Sequence, residues 1–311
     1  MTAAPRVSRR HFLLTTGLAA MAAPLRAAEP EPIIDIHQHT SYLARADEDL
    51  IAHQRTMGVT TTVLLPAGSV VVRPSTHQGK SNGLAARAGG NESVMKVAKE
   101  HAQFVFGANE VTDLEGATTE IERYLERGAK VIGEQKFGVE CDSPESERIY
   151  ALAEKYGVPV LLHFQHGTYN LGIERFDKVL AKFPKVNFIG HAQTFWANID
   201  AAYPDPTVLY PKGPVTPGGI TDRLLRDFPN LYGDLSAGSG LGSLTRDEEH
   251  TRAFLDRHQE KLMFGSDCAD AVGSGKECTG AQILEAVRRL AGSKQIERKI
   301  LFENARRVFR L

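Results

Sequence analysis

The chain has 311 residues, 42% hydrophobic and 24% charged, with a formal net charge of −1. That is ordinary globular composition, enough for one large domain or two small ones, and the charge balance gives no reason to expect nucleic-acid binding or docking on acidic membranes. Three cysteines (Cys141, Cys268, Cys278) without a CxxC spacing suggest neither a disulfide framework nor a zinc ribbon.

The first 30 residues differ from the rest. Arg9 and Arg10 precede Phe12 and Leu13, then a short apolar stretch, Thr15 to Ala23, then Pro24 and small residues up to Ala28. A basic start, a short apolar core and a small-residue end is the order of a secretory signal. The paired arginines resemble the bacterial twin-arginine export signal. That resemblance implies an exported, periplasmic protein, the twin-arginine machinery as a partner, and residues 1–28 as a signal ahead of one catalytic domain, 29–311. It also hints at a cofactor, because that route carries folded proteins. The apolar core is too short, and too rich in Ala, Gly and Thr, for a membrane span. A disordered basic terminus or an uncleaved anchor is the alternative.

From residue 33 onward, short apolar runs alternate with amphipathic helical stretches. The runs are IIDIH (33–37), VTTTVLLP (59–66), QFVFGA (103–108), AKVIGE (129–134), VPVLLH (158–163), VNFIGH (186–191), NLYGDLS (230–236) and KLMFGSD (261–267). Several intervening helices end in Gly or Pro. Strands alternating with helices imply parallel βαβ units, and runs without strict alternation suit strands covered on both faces. Eight repeats fit an α/β fold of the (β/α)8 TIM-barrel type better than an open sheet. The long irregular segments 66–90 and 199–219 would then follow strands on the face where active sites form. They are either pocket walls or ordinary insertions.

The ends of the runs carry the chemistry. The first ends in His37 and His39, the fourth in Glu134, the fifth in His163, the sixth in His191 and the eighth in Asp267. Alternation puts Asp35, His37 and His39 on one facing parity, and barrel geometry brings all these ends to one mouth. Singly, each has an ordinary reading: a hydrogen-bonded structural histidine, a solvated glutamate, an aspartate capping the next segment. Together they are six ligand-type side chains in one position, and enclosing them calls for a divalent cation. His53, His101, His250 and His258 lie in helical stretches and His77 in a loop, so they read as solvated or structural. His166, Gln165, Gln193, Trp196 and Lys136 are candidates to line the pocket. Asp234 and Ser236 are candidates to touch substrate or a ligand histidine, though a turn explains them equally well. Cys268 reads as a buried structural thiol.

DIHQH, VIGE, LLHFQHGT, FIGHAQTF, GDLSA, FGSD and the terminal ENARRVFRL resemble the amidohydrolase superfamily, in its metal-dependent hydrolase branch. The resemblance runs from about residue 33 to 311. It implies a barrel of the metallo-dependent hydrolase type with one or two divalent ions, zinc the first expectation. Carried over, His37 and His39 are the strand-1 ligands, His163 and His191 the ligands of strands 5 and 6, and Asp267 a ligand and general base. Glu134 takes the strand-4 place of a bridging carboxylate, as in the metal-dependent deoxyribonuclease relatives. A carboxylated Lys136 would be the alternative bridge. The expected activity is hydrolysis of an ester, lactone, amide or related bond in a small molecule by a metal-activated water, with Asp267 and His191 as acid and base. A mononuclear decarboxylase of the same superfamily is the alternative, against which Glu134 speaks if it holds a second metal. An exported metal- or ligand-binding protein without turnover is less expected. Oligomeric state and substrate are not legible.

Overall fold

The computed structural model describes residues 1–3, 31–70, 82–84 and 87–311. The expected export signal lies almost wholly outside the described residues. Pro32–Leu311 forms one compact unit. No described helix is long and apolar enough to cross a membrane.

Among the described residues eight strands follow in chain order: β1 (Ile34–Gln38), β2 (Thr61–Leu64), β3 (Phe104–Phe106), β4 (Ile132–Gln135), β5 (Val160–His163), β6 (Phe188–His191), β7 (Leu231–Asp234) and β8 (Leu262–Met263). All neighbours pair in parallel, in the orders β1-β2-β3 and β4-β5-β6-β7-β8. A parallel bridge, Ala108 to Ile132, joins the two sets on one side. On the other side the Ile36 amide donates to the Phe264 carbonyl at 3.1 Å, which closes the ring. The architecture is the (β/α)8 barrel.

The lumen is packed rather than open. Ile34, Ile36, Val63, Leu65, Val131, Leu161, Ile189, Tyr232 and Met263 fill it, and Ala305, Val308 and Phe309 of the helix Asn304–Phe309 close its floor. A second apolar layer lies between the strands and the surrounding helices. The helices start and stop by local rules. In Pro144–Tyr156, Ser143 accepts from the Ser146 amide, Pro144 opens the first turn, and Gly157 ends it at φ 62°.

Strand alternation aims the mouth residues in β5, β6 and β7. Leu161 and His163, Ile189 and His191, and Tyr232 and Asp234 are each two apart, so the mouth residue stands above a lumen residue. Strands β1 and β4 differ. Their registers shift between Asp35 and Gln38 and between Ile132 and Gln135. The shift lets Ile36 fill the lumen while the next residue, His37, turns to the mouth. The expectation that Asp35 shares the parity of His37 and His39 is therefore corrected. Asp35 accepts from Gln54 of the helix Asp47–Thr56 and from Ser266.

Candidate metal centre at the barrel mouth

Four enclosed atoms face one small space without a hydrogen-bond partner: His37 Nε2, His39 Nε2, Glu134 Oε2 and Asp267 Oδ1. His37 Nε2 is 3.3 Å and His39 Nε2 3.4 Å from Glu134 Oε2, and Asp267 Oδ1 is 3.8 Å and 3.6 Å from the same two nitrogens. Ligands on one tetrahedral ion at zinc–nitrogen and zinc–oxygen bond lengths stand about 3.4 Å apart. Unpaired polar atoms in an enclosed site are costly, and a cation at their centre satisfies all four together. The donor set, two imidazoles and two carboxylates, suits a borderline divalent ion.

The groups behind this set fix its protonation. Asp234 Oδ2 accepts from His37 Nδ1 at 2.7 Å and from Ser236 Oγ at 2.8 Å, and it lies 3.2 Å from His191 Nδ1. His39 Nδ1 donates to the Leu65 carbonyl at 2.7 Å. Each ring therefore carries its proton on Nδ1 and turns a lone pair toward the common centre. Asp267 sits at φ 42°, its amide bonded to the His37 carbonyl at 2.8 Å, and that left-handed turn helps aim its carboxylate inward.

Charge at the centre is mutually reinforced. Burial opposes protonation of His37, but the carboxylates of Asp267, Glu134 and Asp234 outweigh it and raise its pKa well above the usual imidazole value. His39 is raised in the same way, against burial, by Asp267 and Glu134. Burial would raise the carboxylates; instead His37 and His39 pull Asp267 down to about 2, and Lys136 and His37 pull Glu134 well below its ordinary range.

The other expected site residues divide. His163 Nδ1 donates to Glu134 Oε1 at 2.5 Å, too close for both atoms to hold one ion, and its Nε2 lies 3.2 Å from Gln165 Oε1 without donating to it. Burial, with the nearby Lys136 charge, lowers the His163 pKa to about 4, so the ring is neutral. His191 Nε2 lies 3.8 Å from both Glu134 Oε1 and Asp267 Oδ2, at the rim of the four-atom set. Lys136 Nζ is 3.9 Å from Glu134 Oε1. His166 is exposed, on the wall of a cavity of about 370 Å³ that also touches Gln165, Asn170 and Thr194. Asp234, expected as a substrate contact, is fully enclosed behind His37 and His191 and orients those rings instead. Trp196 is likewise buried, with Nε1 on the Asp234 carbonyl at 2.9 Å, rather than lining the mouth.

Two groups escaped the sequence reading. Tyr42 stacks beside His39 with ring centres 4.7 Å apart. The Asp267 charge and burial push its phenol pKa far up, so it stays a hydrogen-bond donor. Buried Arg45 donates to the Cys268 carbonyl and to Gln38 Oε1, each at 2.6 Å, and so ties the end of β1 to the loop after β8. Tyr42 lies on a non-periodic turn, and Arg45 reads as a surface residue, so nothing in the sequence pattern marks either one.

The amidohydrolase family model matches residues 34–311. The chain belongs to the amidohydrolase family. None of the curated proteins matches this family member. Among solved structures, an uncharacterised TIM-barrel protein from Bordetella bronchiseptica is 17% identical, covering 90% of this chain and 98% of that one, with a TM-score of 0.61. A probable 2-pyrone-4,6-dicarboxylic acid hydrolase of Acinetobacter baumannii, solved with citric acid, is 12% identical over 90% and 99%, with a TM-score of 0.57. A 2,6-dihydroxybenzoate decarboxylase, solved with 2,6-dihydroxybenzoate, is 15% identical over 90% and 100%, with a TM-score of 0.57. At such identities the likeness is one of fold. With its family membership and its ionisable mouth, this amidohydrolase is an enzyme.

Proposed function

We propose that this amidohydrolase holds one divalent metal ion, zinc or a similar ion, on His37, His39, Glu134 and Asp267, and decarboxylates a small carboxylic acid. The observation that carries this reading is the convergence of four partnerless atoms, with the second oxygen of Glu134 engaged by neutral His163; Glu134, His163 and His191 form a further group of ligand-type atoms beside it. Glu134 thereby loses the force it had as an argument for a second ion. By their names, the solved decarboxylase and pyrone-dicarboxylic acid hydrolase act on carboxylated rings, which fits such a substrate.

When bound, the ion supplies Lewis acidity toward an oxygen of the substrate. The protein supplies the rest. Lys136, partly exposed beside Glu134, offers a cation to the substrate carboxylate. Tyr42 and Gln165 offer further donors at the rim. The bond between the ring and its carboxyl carbon breaks, carbon dioxide leaves, and the electron pair stays on the ring carbon. His191 Nε2 delivers the proton that takes the place of carbon dioxide on that carbon, while Asp234 and Ser236 hold its Nδ1 side.

Hydrolysis of a carboxylated lactone or ester is the second reading. It is favoured by the position of Asp267, whose carboxylate lies at the mouth 3.6–3.8 Å from His39 Nε2 and His37 Nε2, where it could meet a water activated there.

Carbon dioxide release from hydroxybenzoic and unsaturated acids by metal-loaded protein tests the proposal. His191→Gln is expected to lower kcat roughly 100-fold or more, and Lys136→Met to raise KM chiefly. Lactone or ester turnover without carbon dioxide release would replace the first reading by the second.

A further inference from the structure

A second cluster of ligand-type side chains lies outside the catalytic set. His53, on the helix Asp47–Thr56, meets Cys268 and Asp270 from the loop after β8, and Cys278, which caps the helix Thr279–Leu290. One ligand atom from each falls within 4.8 Å of all the others. Cys268 Sγ is 3.9 Å from Cys278 Sγ, Cys278 Sγ is 3.3 Å from His53 Nε2, and His53 Nε2 is 3.8 Å from Asp270 Oδ2. Both sulfurs are free thiols, and His53, Cys268 and Cys278 are buried. The other nitrogen of His53, Nδ1, is buried without a hydrogen-bond partner, so the polar engagement of the ring is directed wholly at the thiols and the carboxylate.

From these positions we infer a second metal site, built for a thiophilic divalent cation such as zinc, with Cys268, Cys278 and His53 as its strong ligands and Asp270 as the fourth. Sulfur and nitrogen ligands of a tetrahedral zinc stand about 3.5–3.8 Å apart and nitrogen and oxygen ligands about 3.4 Å; the sulfur–sulfur and sulfur–nitrogen separations lie near the first range, and Asp270 Oδ2 stands slightly beyond the second. Two thiolates and an imidazole select zinc over magnesium or calcium. Four protein ligands, three of them buried, describe a closed structural site rather than one open to substrate. Met57 Sδ, 3.8 Å from Cys278 Sγ, adds a soft apolar wall. The two thiols are ten residues apart on the segment that directly follows Asp267. The ion would pin that segment to the first helix and fix one end of the catalytic aspartate. This inference is independent of the reaction proposed above.

Cobalt(II) tests it, because the catalytic set contains no sulfur. The full-length chain, reduced and stripped of metal, is titrated with cobalt. The expected result is a near-ultraviolet sulfur-to-cobalt charge-transfer band that saturates by two equivalents per chain, one of them taken up by the sulfur-free catalytic set. The band should vanish in Cys268→Ser and in Cys278→Ser. If those variants fail to fold, Asp270→Asn, at a partly exposed position, should keep the band but bind cobalt roughly tenfold more weakly, because it gives up a charged ligand. Cobalt uptake by wild type without the band, a band that survives Cys278→Ser, or a Cys268–Cys278 disulfide that resists reductant would each overturn the assignment.

Discussion

Asp234 touches no substrate, yet its carboxylate governs the two rings in front of it. It holds His37 at 2.7 Å and His191 at 3.2 Å, both through Nδ1. Asp234→Asn keeps the shape but removes the charge that fixes the tautomers. We expect metal affinity or activity to fall about 10–100-fold, read by competition with a chelator and by steady-state rates. The raised pKa of His37 gives a second prediction. Metal binding needs the neutral ring, so affinity rises with pH through the imidazole range. In the metal-free chain the sign reverses. A histidine raised on folding contributes stability that is full below its unfolded pKa and lost as pH rises through the folded one. The gap in Tm between metal-loaded and metal-free protein should therefore widen from pH 6 to 8.5, and a constant gap would count against the shift. The six mouth residues were legible because each ends an apolar run. The outward turn of Asp35, the enclosure of Asp234 and the role of Tyr42 depend on contacts far apart in the chain, which spacing does not encode.

At the level of single elements, alternation reads β5, β6 and β7 correctly and fails at β1 and β4, where the register shifts. A shift of this kind leaves no mark in a hydrophobic pattern. The helix Ala237–Thr245 was invisible for a related reason: it contains three glycines, which weaken helices. Packing overrides that propensity. A Cβ on Gly240 would run into the Leu235 backbone, whereas one on Gly242 would meet nothing within 4 Å. Two alanine substitutions in one helix should thus have opposite signs. Gly242→Ala should stabilise by about 0.4–1 kcal/mol, and Gly240→Ala should destabilise by about 1–3 kcal/mol. Urea midpoints at constant slope decide both.

Across the whole molecule, the eight-fold alternation was enough to give the barrel, because parallel βαβ units with doubly covered strands have few other ways to pack. The closing of the floor was less plain in the sequence. The last helical stretch is visible as a helix, but its apolar face gives no sign that it enters the lumen. Phe309 is 2% exposed among the lumen residues. Phe309→Ala should cost about 3–5 kcal/mol, measured by chemical denaturation; a loss below 1 kcal/mol would mean that the floor is not part of the core.

That floor also bears on how the chain matures. The ring shuts when Ile36 finds Phe264, and its base is filled by Ala305, Val308 and Phe309. During synthesis the first strand emerges long before either partner exists. Until residues 305–309 have left the ribosome, the nascent barrel is an open trough with a bare apolar lining. Its mouth histidines cannot reach their final spacing in that state. The cluster of mouth side chains is thus expected to be among the last features to form.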